Sequence, residues 1–197
     1  LGAGTNLLVR DGGTEGIAVS LRAFKRIEMI QNIEKIAPHL LQGKYSEAMT
    51  GFFVESGVAL SSLINFIKKQ GYAGIEALAG IPGSFGGAVY MNAGSFGTEI
   101  KDVIISVALM TADGSIEILE KDKLKFFYRG SNIPDNAAIL SANIVLKKDS
   151  PEKVSERVME FLKKKKDTQP IGKPSAGCIF KNPGGDSAGR LIDAAGC

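Results

Sequence analysis

The sequence predicts an α+β fold with antiparallel strand pairs. Residues 103–110 and 115–119 are two runs of β-forming residues that flank Asp113-Gly114, a dipeptide typical of a hairpin turn. Directly after the strand-like residues 52–58, apolar side chains recur at helical spacing, at Leu60, Leu63, Ile64 and Ile67. Strands and helices interleave irregularly and no period of about 20 to 50 residues repeats, which disfavours a doubly wound parallel sheet.

Composition narrows the class of protein. The 197 residues are 44% hydrophobic and 23% charged, and 24 Lys and Arg against 21 Asp and Glu leave a net charge of only +3. This balance is typical of a globular protein and does not indicate a nucleic-acid partner. No apolar run reaches the roughly 18 residues of a membrane span. Cys178 and Cys197 lie outside any disulfide or zinc-site spacing, so we expect a reducing, cytoplasmic location without a bound metal.

The second half of the chain predicts one more strand and two helices. Residues 137–147 have strand composition, and Ser150-Pro151 is typical of a helix start. That helix would place Val154, Val158, Phe161 and Leu162 on one face and end in the run Lys163 to Lys166, which we expect to be solvated. Residues 167–185 should form loops, and Ser187 should cap a last short helix that ends at Gly196.

The first candidate site is the segment Gly2-Ala3-Gly4-Thr5-Asn6-Leu7. Its glycines allow positive φ and close approach of the backbone, so that N–H groups can converge on a pyrophosphate, while Thr5 and Asn6 add side-chain donors. It is not a dinucleotide fingerprint of the GxGxxG type, because Leu7 stands where the third glycine would be. A plain turn is the alternative interpretation.

The second candidate site is the glycine-dense stretch from residue 80 to residue 97. Six of its glycines surround apolar residues with few charges: Gly80, Gly83, Gly86, Gly87, Gly94 and Gly97. Such a stretch suits backbone that lies against a large planar or phosphorylated ligand. Tight turns in a β-rich domain are the alternative.

Two further side chains are candidates for chemistry. Arg129, next to Tyr128, could bind a carboxylate or stabilise a developing enolate, although a surface charge would also explain it. Cys178 follows the flexible Gly177 and lies near Lys181 and Asn182, so its thiol could donate a proton. A small buried hydrophobic residue is the alternative for this cysteine.

Taken together, these segments closely resemble the UDP-N-acetylenolpyruvoylglucosamine reductases, also called UDP-N-acetylmuramate dehydrogenases, which are flavoproteins of bacterial peptidoglycan synthesis. The matching pieces occur in the order of the family and extend over essentially the whole chain. They are LGAGTNLLV (1–9), GIEALAGIPGSFGGA (74–88), MNAGSFG (91–97), YRGS (128–131), PSAGCIFKNP (174–183) and AGRLID (188–193).

The resemblance implies an FAD-binding domain of the vanillyl-alcohol-oxidase (PCMH) type in residues 1–149, lacking its N-terminal part. A truncated α+β substrate-binding domain would begin at residue 150, which makes the chain an internal piece of a longer enzyme. The expected FAD-binding residues are Gly2, Ala3, Gly4, Thr5, Asn6, Leu7, Gly80, Ile81, Pro82, Gly83, Ser84, Gly86, Gly87, Ala88, Asn92, Ala93, Gly94 and Gly97.

The activity implied is the NADPH-dependent reduction of UDP-N-acetylglucosamine enolpyruvate to UDP-N-acetylmuramate. NADPH gives a hydride to FAD, and the reduced flavin passes it to the enolpyruvyl double bond, with one site serving NADPH and substrate in turn. Neither nucleic acid nor membrane is an expected partner, and the oligomeric state is left open. Another FAD-dependent oxidase or dehydrogenase of the same fold, or a non-catalytic remnant of it, is the alternative.

The resemblance also assigns roles to individual residues. Arg129 matches the arginine that binds the substrate carboxylate and stabilises the enolate-like charge, with Tyr128 and Asn182 as substrate contacts. Cys178 stands where most members have the serine that protonates this intermediate, and a thiol is the stronger acid. Thr5 replaces a serine, Phe96 replaces a common tyrosine, and the family's catalytic glutamate, expected further toward the C-terminus, has no counterpart.

Overall fold

The computed structural model describes residues 1–31, 49–169 and 175–197. The chain divides into two units, Leu1–Lys163 and Lys164–Cys197. The strands are β1 (Ile27–Ile30), β2 (Met49–Glu55), β3 (Tyr72–Ala73), β4 (Gly94–Ser95), β5 (Thr98–Glu99), β6 (Ile104–Met110), β7 (Ile116–Glu120), β8 (Phe126–Phe127), β9 (Gly130–Ser131) and β10 (Ala138–Lys148). The helices are α1 (Leu60–Gln70), α2 (Phe85–Tyr90), α3 (Pro151–Thr168) and α4 (Ala188–Ala194).

An antiparallel sheet forms the centre of the first unit. Its strands run in the order β1-β2-β10-β6-β7, and β3 pairs with β10. The hairpin of β6 and β7 turns at Thr111 to Ser115, where Gly114 has a φ of 86° and its N–H donates to the Thr111 carbonyl. This sheet and its hairpin confirm the predicted α+β fold and the predicted turn. Both could be predicted because the strand pattern and the turn signal are local in sequence.

The core lies between one face of the sheet and α1. Phe52 of β2 and Ile144 of β10 are paired and fully buried, and the four apolar residues predicted for α1 are all buried. Burying each such side chain contributes about 1.5 to 3 kcal/mol to stability. α1 ends at Gly71, whose φ of 71° gives a left-handed C-cap, and an added Cβ there would lie 2.4 Å from the Asp149 carbonyl.

β2 is shifted relative to the predicted strand 52–58. It begins at Met49, because its pairing with β10 extends to Lys147, and it ends at Glu55. Beyond that point the chain turns at Gly57, where a Cβ would lie 2.0 Å from the carbonyl oxygen of Leu21. The close approach of another segment therefore ends the strand earlier than its composition predicts.

α3 starts as predicted, since Ser150 Oγ accepts a hydrogen bond from the Lys153 N–H at 3.3 Å. Its apolar face is narrower than predicted, because Val154 and Val158 are buried whereas Leu162 is exposed. The prediction of a solvated lysine run is wrong for Lys165, which is only 5% exposed. Burial lowers the pKa of the Lys165 ammonium to about 8.

The second unit contains α4, which Ser187 caps as predicted by accepting a hydrogen bond from the Arg190 N–H at 3.2 Å. Arg190 Nε also pairs with Asp186 at 2.6 Å. Residues 175–186 form neither helix nor strand, which agrees with the loop predicted for residues 167–185. Residues 167 and 168 differ from that prediction, because they still belong to α3. Pro174 of the motif PSAGCIFKNP lies outside the described residues.

Candidate functional site

Two glycine-rich segments that are far apart in sequence lie side by side. Thr5 Oγ1 donates to the carbonyl oxygen of Pro82 at 3.2 Å. An added Cβ at Gly2 would lie 2.1 Å from Ser84 Oγ, and one at Gly83 would lie 3.1 Å from Thr5 Oγ1. The first candidate segment thus packs on the start of the second, and a side chain at position 2 would force the Ser84 hydroxyl to move.

The chain that follows holds the first segment in place. The Leu1 nitrogen lies 2.6 Å from the Val19 carbonyl oxygen, and the Leu21 N–H donates to the Leu1 carbonyl at 3.1 Å. Arg22 Nη2 reaches the Ala3 carbonyl at 3.5 Å. Gly4 has a φ of 75°, and in the described part of the chain no atom lies within 4 Å of where its Cβ would be. The turn therefore presents open backbone at Gly4.

The glycines of residues 80–88 serve different purposes. Gly80 and Gly83 have φ values of 80° and 138°, which favour glycine. A Cβ at Gly86 would lie 2.6 Å from the Cβ of Ser56, and the Gly86 N–H donates to the Ser56 carbonyl at 2.8 Å. Gly86 is therefore explained by packing on the end of β2, and its N–H is already used within the protein.

α2 begins within the glycine-dense stretch 80–97 and is only six residues long, as expected for a segment with this many glycines. Ser84 is its N-cap, and its hydroxyl accepts from the Gly87 N–H at 3.3 Å. The residues after α2 form a second tight structure, the hairpin of β4 and β5, whose two turn residues Phe96 and Gly97 have φ values of 49° and 80°. The ring of Phe96 also stacks on the ring of Phe161, with 5.4 Å between the ring centres.

Arg129 lies at the tip of the hairpin of β8 and β9, where Phe127 pairs with Gly130. Its φ of 57° is in the left-handed region, which costs a residue other than glycine about 1 to 2 kcal/mol. The guanidinium carbon lies 4.9 Å from the centre of the Tyr128 ring. Arg129 is half-buried and Tyr128 is exposed, so the turn presents a cation and an aromatic ring together.

A carboxylate lies close to this arginine. The hydrogen bond from Lys101 lowers the pKa of Glu99, burial opposes this, and a hydrogen bond from Asn92 and the charges of Lys101 and Arg129 lower it further. Glu99 also forms a capping box with Asp102 at the 3-10 turn Ile100–Asp102. No pattern in the sequence indicates Glu99 or Lys101 as site residues. The fold brings them near Arg129, because Glu99 belongs to β5 and Lys101 to the turn that follows the β4–β5 hairpin.

Cys178 and Asn182 belong to the second unit. Cys178 is free and exposed, so it is not the small buried hydrophobic residue of the alternative interpretation. Gly177 before it has a φ of 71°, and its N–H donates to Ser175 Oγ at 3.1 Å. Asn182 Oδ1 accepts from the Ala188 N–H at 3.0 Å at the start of α4. The described geometry thus places both residues in a loop that precedes this helix.

The first unit therefore brings together most of the predicted site. The segment 2–7, the loop 80–88 and the start of α2 are in contact, and the chain after α2 leads to the hairpin that carries Arg129. Backbone with positive φ, free of side chains and next to a capped helix start, can accept an anionic ligand. A half-buried arginine can bind a planar carboxylate.

Comparisons with known proteins agree with this arrangement. Residues 1–120 match a family model described as FAD binding domain, and residues 169–197 match one described as UDP-N-acetylenolpyruvoylglucosamine reductase, C-terminal domain. The UDP-N-acetylenolpyruvoylglucosamine reductase of Syntrophus aciditrophicus is 39% identical over 196 residues, which are 100% of this chain and 59% of that protein. The enzyme of Bacillus pumilus is 36% identical over 197 residues and is covered to the same 59%.

A solved structure is also similar. The crystal structure of UDP-N-acetylenolpyruvylglucosamine reductase from Thermus caldophilus matches 73% of this chain and 53% of its own length, with 38% identity and a TM-score of 0.68. The chain thus spans less than two thirds of the length of these relatives. The FAD-binding model covers more than half of it, so the chain belongs to the FAD binding domain family, and its similarity to the UDP-N-acetylenolpyruvoylglucosamine reductases extends over its full length.

Proposed function

We propose that the protein containing this chain is an NADPH-dependent, FAD-containing reductase that converts UDP-N-acetylglucosamine enolpyruvate to UDP-N-acetylmuramate in cell-wall synthesis. The observation that carries the proposal is Arg129, a half-buried cation kept in a strained backbone conformation. Backbone strain of this kind persists only where the surrounding structure maintains it, and it is concentrated at functional sites. The full-length similarity to the named reductases supports the same substrate.

The first unit fits FAD. Gly2 has no room for a side chain against Ser84, and Gly4 presents open backbone with positive φ beside the loop 80–84. A dinucleotide needs such a surface, because a Cβ would keep its phosphates away from the backbone donors. FAD, when bound, supplies the two-electron chemistry that links NADPH to the enolpyruvyl double bond.

Arg129 is proposed to bind the substrate carboxylate. Its guanidinium carries parallel N–H donors that match two carboxylate oxygens. Reduction of the enolpyruvyl group develops negative charge next to this carboxylate, and a fixed cation stabilises that charge more than it stabilises the ground state. Removing a donor of this kind costs about 10²- to 10³-fold in rate. Tyr128 would limit the freedom of the guanidinium through their contact.

Cys178 is proposed to complete the reduction as the proton donor, with Asn182 as a substrate contact. The S–H proton would go to the carbon that bears the carboxylate, and the thiolate that remains would take up a proton from solvent. Exposure of the side chain in the second unit is compatible with access to substrate and solvent. We propose that residues 1–149 form the FAD-binding domain and that residues 150–197 begin the substrate-binding domain.

Location and biological role are part of the proposal. Among residues 1–31, 49–169 and 175–197, no helix combines the length and apolar character that crossing a membrane requires. Both cysteines are free thiols, which fits a reducing compartment. We propose a cytoplasmic enzyme whose product is used in peptidoglycan synthesis, and hence in maintaining cell shape and in division.

The test uses the full-length protein purified without added flavin. We expect bound flavin in its visible spectrum and NADPH oxidation that depends on UDP-N-acetylglucosamine enolpyruvate. Absence of flavin would contradict both the reductase and any other flavoenzyme of this fold. Bound flavin with NADPH oxidation that ignores the enolpyruvyl substrate would instead favour another FAD-dependent oxidase or dehydrogenase.

A further inference from the structure

Asn92 is a buried amide immediately after α2. It is 0% exposed, and its φ of 44° lies in the left-handed region, which asparagine tolerates better than most residues. Its Oδ1 accepts a hydrogen bond from the Lys101 N–H at 3.3 Å, and its Nδ2 donates to the Phe127 carbonyl at 3.2 Å. The side chain is therefore committed to contacts within the protein, although the sequence suggested that Asn92 binds the cofactor.

The partner of Nδ2 is the residue that leads into the turn of Arg129. Phe127 is the last residue of β8, and Tyr128 and Arg129 follow it directly. The other strand of this hairpin is held by a second bond, in which Ser131 Oγ donates to the Tyr90 carbonyl at 2.9 Å. Each strand of the hairpin is thus bonded to the C-terminal end of α2, while Arg129 lies at the tip.

The same short helix begins in the proposed cofactor loop. Ser84 caps α2 and lies against Gly2 and within reach of Gly87, and α2 ends six residues later at Tyr90. One rigid element therefore connects the loop proposed to hold FAD to the hairpin that carries the proposed carboxylate-binding residue. The spacing between this loop and the hairpin is therefore set through α2.

We propose that Asn92 is a positioning residue, which orients Arg129 toward the substrate carboxylate by fixing the Phe127 carbonyl. This inference rests on the proposed function. Without the amide, the Phe127 carbonyl, the Lys101 N–H and the Glu99 carboxylate each lose a hydrogen-bond partner, and the tip of the hairpin can shift. A displacement of about 1 Å at a reacting group can cost as much as 100-fold.

The variants are chosen to keep the backbone of position 92. Asn92→Gly removes the amide without adding charge, and glycine adopts a φ of 44° freely. Asn92→Asp also tolerates this φ and keeps the acceptor for Lys101, but it presents an oxygen instead of a donor to Phe127. If one of these variants fails to fold, the other carries the test. Tyr90→Phe is the matched control, because it removes the hydrogen bond from the Tyr90 hydroxyl to Asp135 at the same end of α2 and keeps both anchors of the hairpin.

The readout is the binding preference of the full-length, FAD-loaded protein, measured by calorimetry without NADPH. UDP-N-acetylglucosamine enolpyruvate carries the carboxylate, and UDP-N-acetylglucosamine lacks it, so the ratio of their Kd values reports the contact with Arg129. We expect Asn92→Gly to reduce this preference by about 10-fold or more. Tyr90→Phe should leave the preference unchanged.

A double-mutant cycle separates positioning from general stabilisation. In an Arg129→Ala background, Asn92→Gly should change the preference by less than about 2-fold, because the arginine it positions is gone. Equal weakening of both ligands in the wild-type background, or an undiminished effect without Arg129, would overturn the inference. A wild-type protein that shows no preference for the carboxylate would instead contradict the proposed function.

Discussion

Replacing Arg129 by glycine or by alanine should have the same effect on catalysis and different effects on stability. Both variants remove the guanidinium and its contact with Tyr128, which contributes about 0.5 to 1 kcal/mol at an exposed site. Alanine retains the strain of a φ of 57°, about 1 to 2 kcal/mol, whereas glycine removes it. Glycine in turn loses about 0.5 to 1 kcal/mol through the greater freedom of its unfolded chain.

The two backbone effects leave Arg129→Gly more stable than Arg129→Ala by up to about 1.5 kcal/mol, and each kcal/mol corresponds to about 2 to 4 °C in Tm for a domain of this size. Thermal unfolding of the full-length protein measures this difference. Turnover with UDP-N-acetylglucosamine enolpyruvate should fall by about 10²- to 10³-fold in both variants. A glycine variant clearly less stable than the alanine variant would refute the strain, and undiminished turnover in either would remove Arg129 from the site.

Three further predictions concern other residues. Cys178→Ala should slow product formation by about 10²-fold while NADPH still reduces the flavin at nearly the normal rate, and unchanged turnover in stopped-flow experiments would show that the proton comes from elsewhere. Gly86→Ala should destabilise the protein by about 1 to 3 kcal/mol in denaturant unfolding, because its Cβ meets Ser56, and an unchanged midpoint would contradict this contact. Burial raises the pKa of Glu55, but hydrogen bonds from Arg26 outweigh it and leave the pKa lowered, so the stability gained is present above the ordinary carboxyl pKa of about 4.3 and is lost as the pH falls through the folded-state value. Glu55→Gln should flatten this acid dependence of Tm, and an unaltered pH profile would count against the ion pair.

Most elements of the fold were predicted from local patterns in the sequence. The Asp113-Gly114 turn, the apolar spacing of α1 and the cap at Ser187 each depend on residues that are neighbours along the chain, and each is present in the structure. The end of β2 depends on the approach of Leu21 to Gly57, which lies far from it in sequence. Periodicity does not encode such an approach or the burial of a single lysine such as Lys165, so these two predictions were wrong.

The candidate site shows the same division. Glycine content pointed to the segments 2–7 and 80–97, but it did not distinguish Gly86, which packs on Ser56, from Gly4, whose backbone is open. Arg129 was a candidate from its residue type and received its role from the resemblance, whereas its left-handed conformation occurs in the turn closed by the pairing of Phe127 with Gly130. The resemblance assigned Asn92 to the cofactor site, and only its hydrogen bonds connect it to the hairpin of Arg129.

The proposed protein is a reductase that acts on an enolpyruvyl carboxylate and contains this chain. The most direct measurement is an anaerobic stopped-flow experiment on the full-length protein, in which NADPH first removes the visible absorbance of the oxidised flavin. Addition of UDP-N-acetylglucosamine enolpyruvate should restore that absorbance in wild type and should do so about 10²-fold or more slowly in Arg129→Ala. Restoration at the same rate in both proteins, or none in wild type, would contradict the account.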